Sequence, residues 1–160
     1  DLGWSLVAAG GALTVAQAAG VSGRMLWGYI SDRWLGATMM LMVIAVLLVI
    51  GAVGTALLGP ESSPWFLFPV LVIFGSSAIG WNGVFLAEIA RQAPKGQAGI
   101  ATGGTLCITF LGVMVGPPLF GVLASVLSSY GLSYGVIAVL GLLILMLLIP
   151  LYRHPTTSST

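Results

Sequence analysis

The chain is 160 residues long and 58% hydrophobic, with five basic and four acidic side chains and a net charge of +1. Soluble domains average about 25% charged residues; the 6% found here cannot clothe a water-soluble globule, which argues against a soluble enzyme and against a disordered chain. A charge of +1 gives no field for nucleic-acid phosphates, and the single cysteine, Cys107, excludes an internal disulfide framework and a cysteine-rich metal site. What remains is an integral membrane protein.

A membrane-spanning helix needs about 20 apolar residues. Five stretches of that kind follow in chain order: 2–30, 38–58, 65–90, 99–127 and 134–152. Transmembrane strands alternate apolar and polar residues, whereas 39–50 is apolar throughout. The expected fold class is therefore all-α, a polytopic membrane helix bundle. The connections hold the helix breakers: Asp32, Arg33 and Gly36 in the first, Gly59, Pro60, Glu61 and Pro64 in the second, and Pro94, Lys95 and Gly96 in the third. The fourth, 128–133, is short and polar, and the Ser/Thr-rich tail 154–160 is expected to fray. The chain begins at Asp1, with no signal-peptide pattern, and reads as a piece of a longer protein.

Five spans put alternate connections on one side. Arg24 and Arg33, Arg91 and Lys95, and Arg153 then share a side, while Asp1 and Glu61 lie on the other. The positive-inside rule makes the basic side cytoplasmic, C-terminus and tail included. Trp4, Trp27, Tyr29, Trp34, Trp65, Tyr130, Tyr134 and Tyr152 fall near span ends, where interfacial aromatics belong. Trp81 is the exception, deep in the third span beside Asn82.

The spans are not alike. The second and fifth carry almost no polar residue and read as lipid-facing. The first has Thr14 and Gln17 on one face, and the third has Ser76, Ser77 and Asn82. In the fourth, Thr102, Thr105, Thr109, Gly112 and Gly116 form one helical stripe. Gln17 and Asn82 are intramembrane amides, readable either as substrate-binding groups in a cavity or as an interhelical hydrogen bond worth roughly 0.6 kcal/mol. Trp81 is a candidate stacking wall and Thr109 a further cavity group. Glu88 and Arg91 can pair on one helix face, for ~0.5 kcal/mol at an interface. Gly112, Gly116 and Pro117 read as helix packing and a bend.

The run Gly28-x-x-x-Asp32-Arg33, with Gly36 displaced by one position and no bases following, resembles the signature loop of the major facilitator superfamily (MFS). Glu88 to Arg91 and the Gly112–Gly116–Pro117 stretch follow in the order that family uses. The resemblance implies a cytoplasmic gate in which Asp32, Arg33, Glu88 and Arg91 form a charge network, with Glu88–Arg33 and Asp32–Arg91 as candidate pairs and Gly28 allowing close approach. It implies helices eight to twelve of a twelve-helix protein, an incomplete six-helix half, with helices two to six as the alternative register. The expected function is secondary active transport of a small solute by alternating access, without enzymatic activity, metal or cofactor. The expected partners are the lipid bilayer of a cell inner or plasma membrane, a missing N-terminal six-helix half of the same chain, and a small-molecule substrate. Any proton-coupling group then lies in the missing part, since no carboxylate sits mid-span. The competing reading is a non-transporting membrane subunit whose glycine-rich faces serve helix–helix assembly.

Overall fold

The computed structural model describes residues 5–59 and 62–153. The expectations placed on Asp1, Trp4, Pro60, Glu61 and the tail 154–160 lie outside the described residues. Five long helices follow in chain order: α1 (Leu6–Ile30), α2 (Ala37–Ala56), α3 (Pro64–Gln92), α4 (Ala98–Leu127) and α5 (Tyr130–Arg153). Among the described residues, Ala37–Ala56, Trp65–Gln92, Ala98–Leu127 and Tyr130–Tyr152 are long and apolar enough to cross a membrane.

The ends of these helices follow from local chemistry. Pro64 opens α3, where its missing N–H costs nothing and its fixed φ suits the first turn. At the other end Ala93 is extended, at φ −68° and ψ 144°, because Pro94 disfavours a helical predecessor. Ser128 leaves α4 in the left-handed region at φ 49°. Ser129 Oγ then accepts the Leu132 N–H at 3.2 Å and caps α5, so α5 starts at Tyr130, four residues earlier than its apolar run indicates.

The stretch after α1 is not a loop. Ser31–Leu35 continues the helix as one π turn, closed by the Gly36 N–H on the Ser31 carbonyl at 2.9 Å. Gly36 ends it at φ 74° and ψ 161°, a region open essentially to glycine alone.

Helix α3 is the centre of the arrangement, flanked by α1, α2 and α4, while α2 also packs on α5. The α1–α3 seam is built from small residues. An added Cβ on Gly23 would lie 2.9 Å from the Ser76 carbonyl oxygen, and one on Gly80 would lie 2.8 Å from the Trp27 indole. Trp27, an interfacial aromatic by its sequence position, donates from Nε1 to the Ser76 carbonyl at 2.9 Å, across the seam.

Helix α2, expected to face lipid, carries much of the core. Met40 is 1% exposed, and it clusters with Ala37, Ile44 and Val84. Lipid tails are as apolar as a neighbouring helix, so apolarity alone does not tell the two apart; the small residues Ala45, Gly51 and Ala52 mark the packed face. The threonines of α4 satisfy themselves. Thr102, Thr105 and Thr109 each donate to the carbonyl one turn back, at 2.8, 2.9 and 3.0 Å, so the stripe does not need a partner to be tolerated in lipid.

Candidate functional site

Polar side chains collect in two places. The first is the end of the bundle where the π turn follows α1 and where α3 stops. Arg91, in the last turn of α3, donates from Nη1 to Asp32 Oδ1 at 2.8 Å and from Nε to Glu88 Oε2 at 3.1 Å. Glu88 Oε1 accepts Gln92 Nε2 at 2.7 Å. The contact places the first and third connections at the same end of the molecule. The Arg91 and Asp32 side chains are 49% and 60% exposed, so water screens their attraction, and such a pair contributes only about 0–1 kcal/mol to stability. Its importance is geometric: it ties the ends of two helices.

Of the two ion pairs read from the sequence, the structure brings Asp32 to Arg91 but does not bring Glu88 to Arg33. Both oxygens of Glu88 are taken by partners three and four residues along its own helix. Arg33 is exposed and forms no ion pair among the described residues. Around Gly28 an added Cβ would find no atom within 4 Å, so no helix of the described residues uses the room it leaves.

The second place is a cavity of about 210 Å³ between α1, α3 and α4, lined by Arg24, Asn82, Gly83 and Thr109 among apolar neighbours. Asn82 Oδ1 is buried without a hydrogen-bond partner. Thr109 gives its hydroxyl proton to Thr105 and keeps its lone pairs free to accept. Gln17 does not line this cavity. It sits exposed two turns before Arg24 on the same face of α1.

Trp81 lies apart from Asn82. It lines an apolar crevice of about 480 Å³ with Leu41, Phe85 and residues of α5, and its ring stands 5.4 Å from that of Phe85. One residue along a helix is a rotation of about 100°, which separates the two neighbours onto different faces. Gly112 and Gly116 meet nothing within 4 Å, and α4 runs on through Pro117 without interruption.

The model of one protein family matches residues 1–108, and its description is Major Facilitator Superfamily. The chain belongs to this superfamily. No curated protein and no solved structure matches it. The facilitator match takes in the Asp32–Arg33 turn, the Glu88–Arg91 pair, Asn82 and the first part of α4; Thr109 and the Gly112–Pro117 stretch lie beyond it. With its apolar helices, this facilitator chain is a transporter of the major facilitator type and an integral, multi-pass membrane protein.

Arg24 is the cavity residue that sequence reasoning missed. Counted among the cytoplasmic bases, it sits inside α1, six residues before Ile30, which is roughly 9 Å along the axis. That depth was the available signal.

Proposed function

We propose that this facilitator chain forms helices eight to twelve of a secondary active transporter, which carries a small solute through alternating inward- and outward-open states. The observation that carries the reading is the Asp32–Arg91 contact at 2.8 Å, backed by Glu88. It fastens the π turn after α1 to the end of α3, at the side holding Arg33 and Lys95. By the positive-inside rule that side is cytoplasmic, as is the C-terminus. Asp32, Glu88 and Arg91 hold the ends of α1 and α3 together as one unit, and Arg33, exposed beside them, is the group that binds across to the other half and stabilises one gate position.

The N-terminal six helices of the same chain pack on the faces that α1 and α4 leave open. Helix α4 has one buried residue, Ala124, and its open glycines at 112 and 116 allow another helix to come close. The solute passes between the halves, near the membrane midplane.

The test uses the full-length chain in proteoliposomes, offered a panel of sugars, amino acids, organic acids, inorganic anions and drugs. We expect uptake of at least one member, and at least ~10-fold slower uptake for Asp32→Asn at equal membrane insertion and folding. Uptake of none, or equal uptake by the variant, overturns the reading.

A further inference from the structure

We propose that Arg24, Asn82 and Thr109 form a binding site for a small hydroxycarboxylate. The inference rests on the transporter reading and names the class of solute. It starts from an electrostatic imbalance. With α1 taken as the span read from the sequence, a charged side chain within it is costly and is normally paired. Arg24 forms no ion pair among the described residues, and the two acidic groups on its side, Asp32 and Glu88, are both engaged by Arg91. Arg24, exposed as a residue, lines the cavity and brings five donors with no anion to meet them.

The cavity's other polar atoms are of the opposite kind. Asn82 Oδ1 is a buried acceptor lacking a donor. Thr109 has spent its proton on the Thr105 carbonyl, at 3.0 Å, and offers lone pairs. One cation with two acceptors calls for a ligand bearing an anionic group and, close to it, a hydrogen-bond donor. A plain carboxylate leaves Asn82 unsatisfied, which costs binding free energy when the group is buried. A neutral polyol leaves Arg24 unpaired. A hydroxyl beside a carboxylate satisfies both, and a planar guanidinium grips a carboxylate with two parallel bonds.

Size and support point the same way. The cavity holds about 210 Å³, the room of roughly seven water molecules, below the range of drug-sized pockets. The rest of its lining is apolar, with Leu86, Leu106 and Phe110, which lowers the local dielectric and strengthens a charge-assisted bond. Arg24 is also positioned from below. A Cβ on Gly83 would lie 2.8 Å from Arg24 Cγ, so the glycine next to Asn82 is what lets the arginine stem lie against α3.

Three near-isosteric probes separate the contributions: lactate with both groups, propionate without the hydroxyl, and lactamide without the charge. Binding of radiolabelled lactate to the purified full-length transporter, with competition by the other two, reads each one. We expect saturable lactate binding, with propionate about 5-fold weaker and lactamide at least ~10-fold weaker, following the usual worth of neutral and charge-assisted hydrogen bonds. Arg24→Gln should weaken lactate binding at least ~10-fold, and Arg24→Lys should restore part of it. Asn82→Leu should bind propionate and lactate equally, a loss of preference that misfolding does not produce. Absence of saturable lactate binding, equal competition by lactamide, or wild-type affinity in Arg24→Gln overturns the site. Uptake of a neutral or cationic solute in the panel assay would then leave the transporter reading standing, whereas uptake of nothing removes that reading itself.

Discussion

Arg91 and Asp32 are 59 residues apart in sequence and 2.8 Å apart in space. One guanidinium thus serves two carboxylates, since its Nε also holds Glu88 at 3.1 Å. Because the pair is exposed, removing it should barely change folding stability while freeing the helix ends. Arg91→Gln is expected to shift the melting temperature of the full-length protein by no more than a degree or two and to slow transport at least ~10-fold. The reversed pair, Asp32→Arg with Arg91→Asp, should recover part of the rate. Uptake assays run beside thermal unfolding check both statements.

The π turn that presents Asp32 depends on one backbone conformation. Gly36 at φ 74° and ψ 161° occupies a region that side chains make costly, by about 1–3 kcal/mol. Gly36→Ala should lower stability by that amount and impair transport as well. Gly36→Asn should be no better, since asparagine tolerates the left-handed helical region but not this one. Thermal unfolding of the two variants distinguishes this geometry from an ordinary left-handed turn.

The seam between α1 and α3 has no space to spare. Gly23→Val must push against the Ser76 backbone, which an added Cβ would approach to 2.9 Å; overpacking of this kind costs about 1–3 kcal/mol. Gly135→Ala on α5, with no atom within 4 Å of the added carbon, should cost no stability and can add up to about 1 kcal/mol, since alanine is the better helix former. The comparison is made by unfolding both variants in the same detergent.

Trp27→Phe keeps an aromatic side chain but removes the pyrrole part of the indole, with the N–H donor that reaches the Ser76 carbonyl at 2.9 Å. Interhelical hydrogen bonds in membrane proteins average roughly 0.6 kcal/mol, and a stability loss of that order is expected. A larger loss would show that the indole also fixes helix rotation through its contact with Gly80.

Much of this arrangement was legible because charges are scarce. With four acids and five bases in the whole chain, the partners open to Asp32 were few, and the alternation of connections put Arg91 at its end. Rotation was not legible. Trp81 and Asn82 are sequence neighbours, yet they line different cavities: the helix turns about 100° between them, and the sequence does not say which face meets which neighbour. Helix α2 illustrates the same blindness: its side chains look equally at home against lipid and against α3. Arg24 was passed over as a cavity residue for a different reason: a base near a span end serves the orientation rule whether it reaches water or lines a cavity, so its depth in the span 2–30 drew no attention.

The glycine seam has a mechanical consequence. Interlocked backbones and the Trp27–Ser76 bond make α1 and α3 a single lever, since neither helix can slide along the other without breaking its fit. Asp32 lies eight residues beyond Arg24 on one strut and Arg91 nine beyond Asn82 on the other, about 12–14 Å at the helical rise. Any tilt of the pair at the level of Arg24 and Asn82 is therefore carried whole to the tip that bears Asp32 and Arg91, without a chain of intermediate contacts.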